Sequence, residues 1–339
     1  MIAMVMCAGE GTRLRPLTYV LPKPMMPILN RPVLEYTLLN LKKYGIREAV
    51  INLSYKPRPI IDYFQDGSKM GMKIHYSIEK KMLGTAGGVK NVESLIRKDP
   101  DSEFLVTSGD GLTDINFAQL IDFHRQKKSL GTIALQSADS RFEYGVTLLN
   151  KDGRVRRFIE KPSWSDVYSC LVNTGIYVFN KEIFGHIPAR RFYDFGKQVW
   201  PELLQKKKRV FGYEFKDFWT DIGNIAEYRR ANRVAMDKMK SRVWKGERSK
   251  VHSSVKVIAP CFIGNDCVIE KNATIGPYSV IGNGSRVLAR SILSNSILWE
   301  GSTLPCEFRL ENTVLAAKSP LGQPVAACDA SIVDLSCIS

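Results

Sequence analysis

An aliphatic residue recurs at every sixth position along the last third of this chain, without a gap over seven repeats. The series is Val251, Val257, Ile263, Ile269, Ile275, Ile281 and Val287. Four positions after each of them stands a compact side chain, and these are Val255, Cys261, Cys267, Ala273, Ser279, Ser285 and Ser291. A six-residue period with an aliphatic core position and a small corner position predicts a solenoid of stacked short strands.

This repeat resembles that of the left-handed hexapeptide β-helix, and we assign it to a C-terminal domain at 251–339. The polar segment 241–250 is interpreted as a linker. Residues 1–240 are then a separate N-terminal domain. A chain of 339 residues has room for two such domains.

Strand-like and helix-like patterns alternate over residues 1–130. Strands are predicted at 1–7, 49–53, 73–78 and 103–108, and helices at 32–44, 60–64, 86–96, 117–127 and 224–240. Strand patterns predominate from 131 to 215. The alternation predicts an α/β fold, Rossmann-like, with a mixed, mainly parallel sheet. Ligands of such sheets bind at the carboxyl ends of the strands, where both a glycine loop and Asp110 fall, so we expect one shared site there.

The glycine loop follows the first strand and reads Ala8-Gly9-Glu10-Gly11-Thr12-Arg13, with Lys23 further along between two prolines. A strand that leads into a glycine loop offers backbone N–H groups to an anion. Arg13, Arg15 and Lys23 add positive charges, which favours a polyphosphate ligand. A dinucleotide fingerprint would need a third glycine where Leu14 stands, and no Gly-Lys-Ser/Thr of a Walker loop follows.

The loop resembles the G-x-G-T-R-L-x-P-L-T signature of the sugar-1-phosphate nucleotidyltransferases, also called NDP-sugar pyrophosphorylases. Further matching strings begin at Leu83 (LGTAG), Ser108 (SGD), Glu160 (EKP), Asn173 (NTG) and Trp219 (WTDIG). They follow one another over residues 1–235, and within the family the chain looks most like the mannose-1-phosphate guanylyltransferases. The resemblance implies transfer of a nucleotidyl group from an NTP to a sugar 1-phosphate, with Mg²⁺ as cofactor.

The resemblance also implies roles for individual residues. The catalytic set is Arg13, Lys23 and Asp110, and the metal ligands are Asp110 and Asp221. The nucleotide-binding set is Ala8, Gly9, Gly11, Thr12, Arg13, Glu79, Gly84, Thr85 and Asp110. The sugar-phosphate set is Gly145, Glu160, Lys161, Asn173 and Thr174. On residue type alone, Asp221 is equally a helix N-cap, and Asp114 is an alternative carboxylate.

Glu79 bears on the choice of base. A carboxylate accepts hydrogen bonds from the N1–H and 2-amino groups of guanine, whereas an amide is better suited to uracil or thymine. Glu79 therefore favours GTP, and mannose 1-phosphate is the expected acceptor; the alternative to this role is a solvent-facing side chain. UTP, dTTP or ATP with glucose 1-phosphate remain open. Glu10, between the glycines, departs from the small residue frequent in the family.

Two other functional classes compete with this interpretation. A non-catalytic regulatory subunit of the same fold would have lost Arg13, Lys23, Asp110 or Asp221, and all four are present. A hexapeptide acyltransferase usually needs a histidine near its coils, where this chain has only His252. We interpret the solenoid instead as an assembly element of a homo-oligomer.

Composition narrows the partners. The formal net charge is +15, but the basic residues are dispersed, and no zinc spacing or RNA-binding aromatic pattern accompanies them, which argues against nucleic acid. No apolar run approaches the roughly 20 residues of a membrane span. The seven cysteines are odd in number and scattered, which predicts a reduced, cytoplasmic protein.

Overall fold

The computed structural model describes residues 1–138, 144–163 and 169–316, together with the backbone of 325–328. The chain divides into two compact units. The first comprises Met1–Gly9 and Tyr36–Trp219, and the second comprises Glu10–Glu35 and Thr220–Ser339. The first unit thus contains the sheet, and the second contains most of the glycine loop together with the repeat region.

The helices and strands follow in chain order. The helices are α1 Val33–Lys43, α2 Pro57–Phe64, α3 Gly84–Asn91, α4 Glu93–Ile96, α5 Phe117–Gln126, α6 Trp200–Gln205 and α7 Ile225–Asp237. The strands up to residue 221 are β1 Ile2–Met6, β2 Pro27–Ile28, β3 Arg31–Pro32, β4 Glu48–Leu53, β5 Lys73–Ile78, β6 Glu103–Ser108, β7 Gly111–Thr113, β8 Gly131–Ser137, β9 Gly145–Leu149, β10 Val155–Glu160, β11 Leu171–Asn180, β12 Val210–Glu214 and β13 Trp219–Asp221. The later strands are β14 Val243–Lys245, β15 Lys250–Val251, β16 Lys256–Val257, β17 Cys261–Ile263, β18 Val268–Ile269, β19 Thr274–Ile275, β20 Ser279–Ile281, β21 Arg286–Val287, β22 Ile292–Ser294, β23 Ile297–Leu298, β24 Thr303–Leu304, β25 Arg309–Glu311, β26 Thr313–Ala316 and β27 Val325–Cys328.

The first unit is built on one mixed sheet in the order β5–β4–β1–β6–β11, extended by β8 and β12 and by the β9–β10 pair. The pairs among β5, β4, β1 and β6 are all parallel, whereas β11 runs antiparallel to β6. Ile2, Ala3, Met4 and Val5 of β1 are all buried, which means that both faces of this central strand are covered. The predicted α/β class is confirmed.

A cluster of aromatic rings packs where β11 meets α6. Phe179 stacks on Trp200 with ring centroids 5.4 Å apart and on Phe195 at 5.0 Å, and Tyr177 meets Trp200 edge-on at 5.3 Å. Aromatic pairs at these separations add to the stability that comes from burial alone. The cluster therefore fixes the strand whose first half carries Asn173 and Thr174.

The repeat region coils into a β-helix of three sheets of parallel strands, and β27 adds to one of them antiparallel to β26. Cys261 pairs with Ser279 and Ile275 with Leu293, which is 18 residues, or three hexapeptides, per coil. The aliphatic positions form the core. Buried corner serines bond the next coil, as where Ser279 Oγ donates to the carbonyl of Leu293 at 3.1 Å. The predicted solenoid is confirmed.

Two features of the β-helix differ from the sequence expectation. Its first strand, β14, lies within the segment interpreted as a linker, 241–250, and pairs with β17. Beyond Leu293 the coils continue at 17 residues, since Ile281 pairs with Leu298 and Leu298 with Leu315. The strict six-residue period therefore fades because corners lose a residue while the coils keep stacking. Residues 317–324 and 329–339 of the predicted C-terminal domain lie outside the described part.

Within the described residues, no helix combines the length and the apolar character needed to cross a membrane.

Candidate active site

Three short helical turns form the end of the glycine loop and the segment after it in the second unit, at Thr12–Leu14, Leu17–Tyr19 and Lys23–Met25. Gly11 has a positive φ of 64°, and a Cβ there would lie 3.1 Å from Lys23 Cβ. Thr18 Oγ1 donates to the carbonyl of Gly11 at 3.2 Å. Gly11 is therefore a glycine because the loop packs closely against Lys23.

Lys23 is only 8% exposed, with Pro22 and Pro24 on either side. An ammonium group is costly to bury, and the two proline φ angles restrict the backbone that carries it. The ammonium group of Lys23 is therefore held in a restricted set of positions and does not move freely in solvent.

Arg13 and Asp221 lie together in the second unit. A guanidinium nitrogen of Arg13 lies 3.8 Å from Asp221 Oδ2, and a Cβ at Gly223 would come within 3.0 Å of that same oxygen. Arg13 is half exposed, and an ion pair of this kind contributes at most about 1 kcal/mol, so Arg13 can turn toward an anion.

The N-cap of α7 is Asn224, whose side chain accepts from the N–H of Glu227. Asp221 is therefore not the helix cap, which removes the competing interpretation.

Glu10 forms an ion pair with Arg15 at 3.1 Å, and both side chains are largely exposed. The carboxylate between the two glycines is thus offset by the loop's own second arginine. That arginine also lies over the ring of Tyr19, 5.2 Å from its centroid.

The carboxyl ends of β1 and β6 lie side by side in the first unit. Met6 pairs with Ser108, and the N–H of Gly109 donates to the carbonyl of Met6 at 3.0 Å. A Cβ at Gly9 would meet no protein atom within 4 Å, so packing does not require this glycine. Ala8 and Gly9 therefore lie at the same edge of the sheet as Asp110, as predicted.

Asp110 accepts a hydrogen bond from Ser108 Oγ. Burial, and then the negative charge of Asp110, raise the pKa of the Cys7 thiol well above its usual value. Cys7 therefore stays a neutral thiol. The other candidate, Asp114, is not a helix cap either, because Asn116 caps α5 and the N–H of Asp114 donates to the carbonyl of Phe218.

Glu79 is 5% exposed, which excludes the solvent-facing alternative. Its Oε1 accepts from Asn52 Nδ2 at 2.7 Å, and its Oε2 accepts from the N–H of Leu83 at 3.0 Å. Asn52 Oδ1 in turn accepts from the N–H of Cys7 at 2.9 Å. Glu79 thereby ties the end of β5 to the start of α3 and, through Asn52, to the residue before Ala8. The role in reading the base stays a prediction.

Gly84 and Thr85 also make contacts within the chain. Gly84 has a φ of 74°, and a Cβ there would clash with the backbone of Tyr193. Thr85 Oγ1 donates to Asp194 Oδ2 at 2.8 Å and accepts from the N–H of Phe195 at 2.9 Å. These contacts fix the start of α3, and the predicted nucleotide contacts of both residues stay predictions.

The predicted sugar-phosphate residues gather around the end of β10. Gly145 pairs with Glu160, and side chains at Gly145 or Gly196 would collide with the Glu160 carboxylate. Asn173 Nδ2 donates to the hydroxyl of Tyr177 at 2.9 Å. Thr174 is buried, and its Oγ1 donates to the carbonyl of Ala134 at 2.8 Å. Lys161 is exposed and adopts a left-handed backbone conformation with φ 47°.

Asp194 belongs to this group, although sequence reasoning did not select it. Its Oδ1 caps the following turn by accepting from the N–H groups of Gly196 and Lys197, while its Oδ2 accepts from Thr85. Burial, and then the negative charge of Asp194, raise the pKa of Glu160. The only sequence signal was an aspartate before a Phe-Gly pair, which by itself indicates no more than a cap.

The substitution Glu160→Gln is expected to stabilise the protein at neutral to alkaline pH. A carboxyl whose pKa is raised by folding favours the folded state only while it is protonated, so that stability is lost as pH rises through the folded pKa. A neutral glutamine avoids this loss. Thermal unfolding should show a melting temperature higher by a few degrees at pH 8 and nearly unchanged at pH 4. The exposed Glu214→Gln is the control, and a variant no more stable than wild type at pH 8 would contradict the assignment.

The family model for nucleotidyl transferase matches residues 2–238. The chain therefore belongs to the nucleotidyl transferase family and is an enzyme of sugar-1-phosphate nucleotidyl transfer.

Individual relatives share much of their length with this chain. It is 30% identical to a UTP–glucose-1-phosphate uridylyltransferase of Synechocystis, over 97% of this chain and 90% of the relative. It is 32% identical to a mannose-1-phosphate guanylyltransferase of Mycobacterium tuberculosis, over 86% and 82%. The crystal structure of HddC from Yersinia pseudotuberculosis complexed with GMP-PN has a TM-score of 0.59 and 26% identity, covering 69% of this chain and 99% of HddC.

Proposed function

We propose that this enzyme transfers GMP from GTP to mannose 1-phosphate, releasing pyrophosphate and forming GDP-mannose. The observation that carries the choice of GTP is the carboxylate at position 79, in the predicted base-reading segment, where an amide would suit uracil better. The similarity to the mycobacterial guanylyltransferase supports the same substrates. The similarity to the cyanobacterial uridylyltransferase makes UTP with glucose 1-phosphate the second candidate pair.

The chemistry needs no protein nucleophile. An oxygen of the sugar phosphate forms a bond to the α-phosphorus, the bond from that phosphorus to the bridging oxygen breaks, and pyrophosphate leaves. The protein must bring two anions together and neutralise the charge that develops. We assign Arg13 to the leaving pyrophosphate, because its planar fork matches phosphate oxygens. Lys23, buried and held between prolines, is assigned to the α-phosphate and the incoming phosphate.

The carboxylates of Asp110 and Asp221 would hold Mg²⁺, which takes oxygen ligands and commonly uses one or two carboxylates together with substrate phosphates. The donor set fits, since both groups are carboxylates and neither caps a helix. The described residues contain no cluster of three or more His, Cys, Asp or Glu side chains that could hold a metal. When bound, the ion supplies charge neutralisation at the phosphates.

Lys161 and Glu160 are assigned to the sugar phosphate, with Asn173 beside them. Lys161 supplies a cation for the phosphate, and Glu160, once ionised, accepts hydrogen bonds from sugar hydroxyls. Recognition of one sugar over another depends on a few such bonds.

The first experiment is pyrophosphate release by the purified chain with Mg²⁺, in which each NTP is tested against mannose 1-phosphate and glucose 1-phosphate. Release with GTP and mannose 1-phosphate alone is the expected result. Preference for UTP and glucose 1-phosphate would support the proposed reaction but contradict the proposed substrates. No release from folded protein would support the regulatory-subunit hypothesis.

The variant Glu79→Gln tests the choice of base. The ratio of kcat/KM for GTP to that for UTP is expected to fall about 10- to 100-fold, the value of a hydrogen bond to a charged group. A general loss from disturbed packing would lower both values and leave the ratio unchanged. Asn52→Ala is the control, because it removes the Asn52–Glu79 hydrogen bond and keeps the carboxylate. An unchanged ratio in Glu79→Gln would assign Glu79 to structure alone.

We further propose that the β-helix assembles copies of the chain. Strand β14 is the edge of its sheet, all three of its residues are exposed, and Trp244 is 51% exposed while stacking on Phe262. An edge strand with an exposed aromatic ring is suited to pairing. Light scattering of the purified chain gives the oligomer number. A cytoplasmic location stays a prediction.

A further inference from the structure

A pocket of about 410 Å³ lies in the first unit at the end of the sheet away from Asp110. Glu103, the first residue of β6, lines it, whereas Ser108 and Asp110 follow at the opposite end of the same strand. A six-residue strand separates the two ends by roughly 17 Å. The pocket is thus distinct from the candidate active site, and its volume is in the range that small ligands occupy.

The lining carries an excess of positive charge. Arg125, Lys128, Lys208 and Arg209 face two acidic residues, Glu103 and Glu182. Arg125 is paired with Glu103 at 3.3 Å. Arg209 donates through its guanidinium to the carbonyls of Lys127 and Lys128, which places it as a cap on the end of α5.

Two of the cations have no such engagement. In the part of the chain that the structure describes, neither Lys128 nor Lys208 has a carboxylate within 4 Å of its ammonium group. The pKa of His186 is lowered by burial and then by the positive charges of Lys208 and Lys206. The negative charges of Glu182 and Glu202 raise it by smaller amounts. The half-buried ring of His186 therefore experiences a net positive field within the pocket.

The remaining walls are polar and already bonded. His124 is buried, with its Nδ1 2.8 Å from Thr132 Oγ1, and burial lowers its pKa to about 4, so it is neutral at pH 7. Ser129 Oγ donates to the carbonyl of Gly131 at 2.8 Å. These groups shape a fixed concave wall. Among the described residues, the lining charges without an ion pair sum to a net positive charge, and they are those of Lys128, Lys208, Arg209 and Glu182.

We propose that this pocket is a second anion site, which binds a small phosphate-bearing molecule between Lys128 and Lys208. A phosphate group there neutralises the two ammonium groups and favours the protonated ring of His186. This proposal does not depend on the proposed guanylyl transfer, and its test measures phosphate binding instead of enzyme activity.

The test uses the full chain and inorganic phosphate as the probe, with proton NMR of the four histidine rings at constant ionic strength set by chloride. The His186 signal is assigned from the variant His186→Gln. Phosphate is expected to raise the pKa of His186 in a saturable manner and to leave the ring signals of His75 and His252 unchanged. Phosphate bound at the candidate active site would not produce this pattern, because none of its assigned residues is a histidine.

The double variant Lys128→Gln/Lys208→Gln is expected to weaken the apparent phosphate affinity by at least fivefold. The control Lys98→Gln/Lys151→Gln, which removes the same charge from exposed positions elsewhere, should bind as wild type does. A His186 signal that ignores phosphate would overturn the proposal. So would an equal response in both double variants, since that result would reflect general screening.

Discussion

Asp110→Asn is expected to reduce turnover by at least about a hundredfold while the protein remains folded. The change removes one charge with almost no change in shape. Ser108 Oγ can still donate to the remaining oxygen of residue 110, so the local hydrogen bond persists. Loss of the partners that merely orient metal ligands costs about 10- to 100-fold, and loss of a ligand itself should cost no less. The measurement is kcat for pyrophosphate release, with thermal unfolding as the check on folding.

Asp114→Asn is the matched control for this prediction, because it makes the same charge change four residues further on. Asp114 is exposed, and its backbone rather than its side chain bonds Phe218. Near-normal turnover in Asp114→Asn with loss in Asp110→Asn supports the assignment. The reverse pattern would indicate that Asp114 is the metal ligand. Full activity in both variants would mean that neither carboxylate is needed for turnover.

The Cys7 thiol provides a second readout for Asp110→Asn. The negative charge of Asp110 contributes to the raised pKa of Cys7, so the substitution should lower that pKa, although burial keeps it above its usual value. A Cys7 pKa that falls but stays above its usual value indicates that the side chain at position 110 is correctly placed and has lost only its charge. A rearranged strand end would instead expose the thiol.

Elements set by local pattern could be predicted closely from the sequence. The strands Lys73–Ile78 and Glu103–Ser108 have the bounds expected from their sequence patterns, because alternating polarity and apolar runs reflect burial in a sheet directly. The predicted helix at 86–96 is instead two helices that meet at Val92. Its apolar spacing continues through the break, so periodicity alone could not reveal it.

Contacts between distant segments could not be predicted. Glu79 and Asn52 are 27 residues apart, and nothing at either position indicates that the amide would occupy one oxygen of the proposed base-reading carboxylate. Asp194 meets Thr85 across 109 residues. The motif strings identify which residues belong to the site, whereas their hydrogen bonds depend on packing that local sequence does not record.

The hydroxyl of Tyr228 connects the glycine-loop segment to the β-helix within the second unit. Tyr228 is fully buried; its hydroxyl donates to the carbonyl of Pro27 at 2.6 Å and accepts from Trp299 Nε1 at 3.0 Å. Pro27 begins β2, four residues after Lys23. Asn232 Oδ1, one turn further along α7, accepts from the N–H of Leu29 at 3.1 Å. The segment that follows the buried lysine is thus held by α7, and α7 is held by the coils.

Tyr228→Phe is expected to lower the free energy of unfolding by about 2 kcal/mol or more, because both the Pro27 carbonyl and the Trp299 indole lose their buried partner. Turnover should fall about tenfold at temperatures where the variant is folded, since the loop that aims Lys23 loosens. Tyr213→Phe is the control, since its hydroxyl bonds Gln119 near the surface and its loss should cost under about 0.5 kcal/mol.

Trp299→Phe separates positioning from stability. It removes the indole donor but leaves the Tyr228–Pro27 hydrogen bond in place. A purely structural link predicts that both variants lose stability and keep kcat. A positioning role predicts that both lose stability, whereas only Tyr228→Phe loses kcat, because only that variant releases the backbone that follows Lys23.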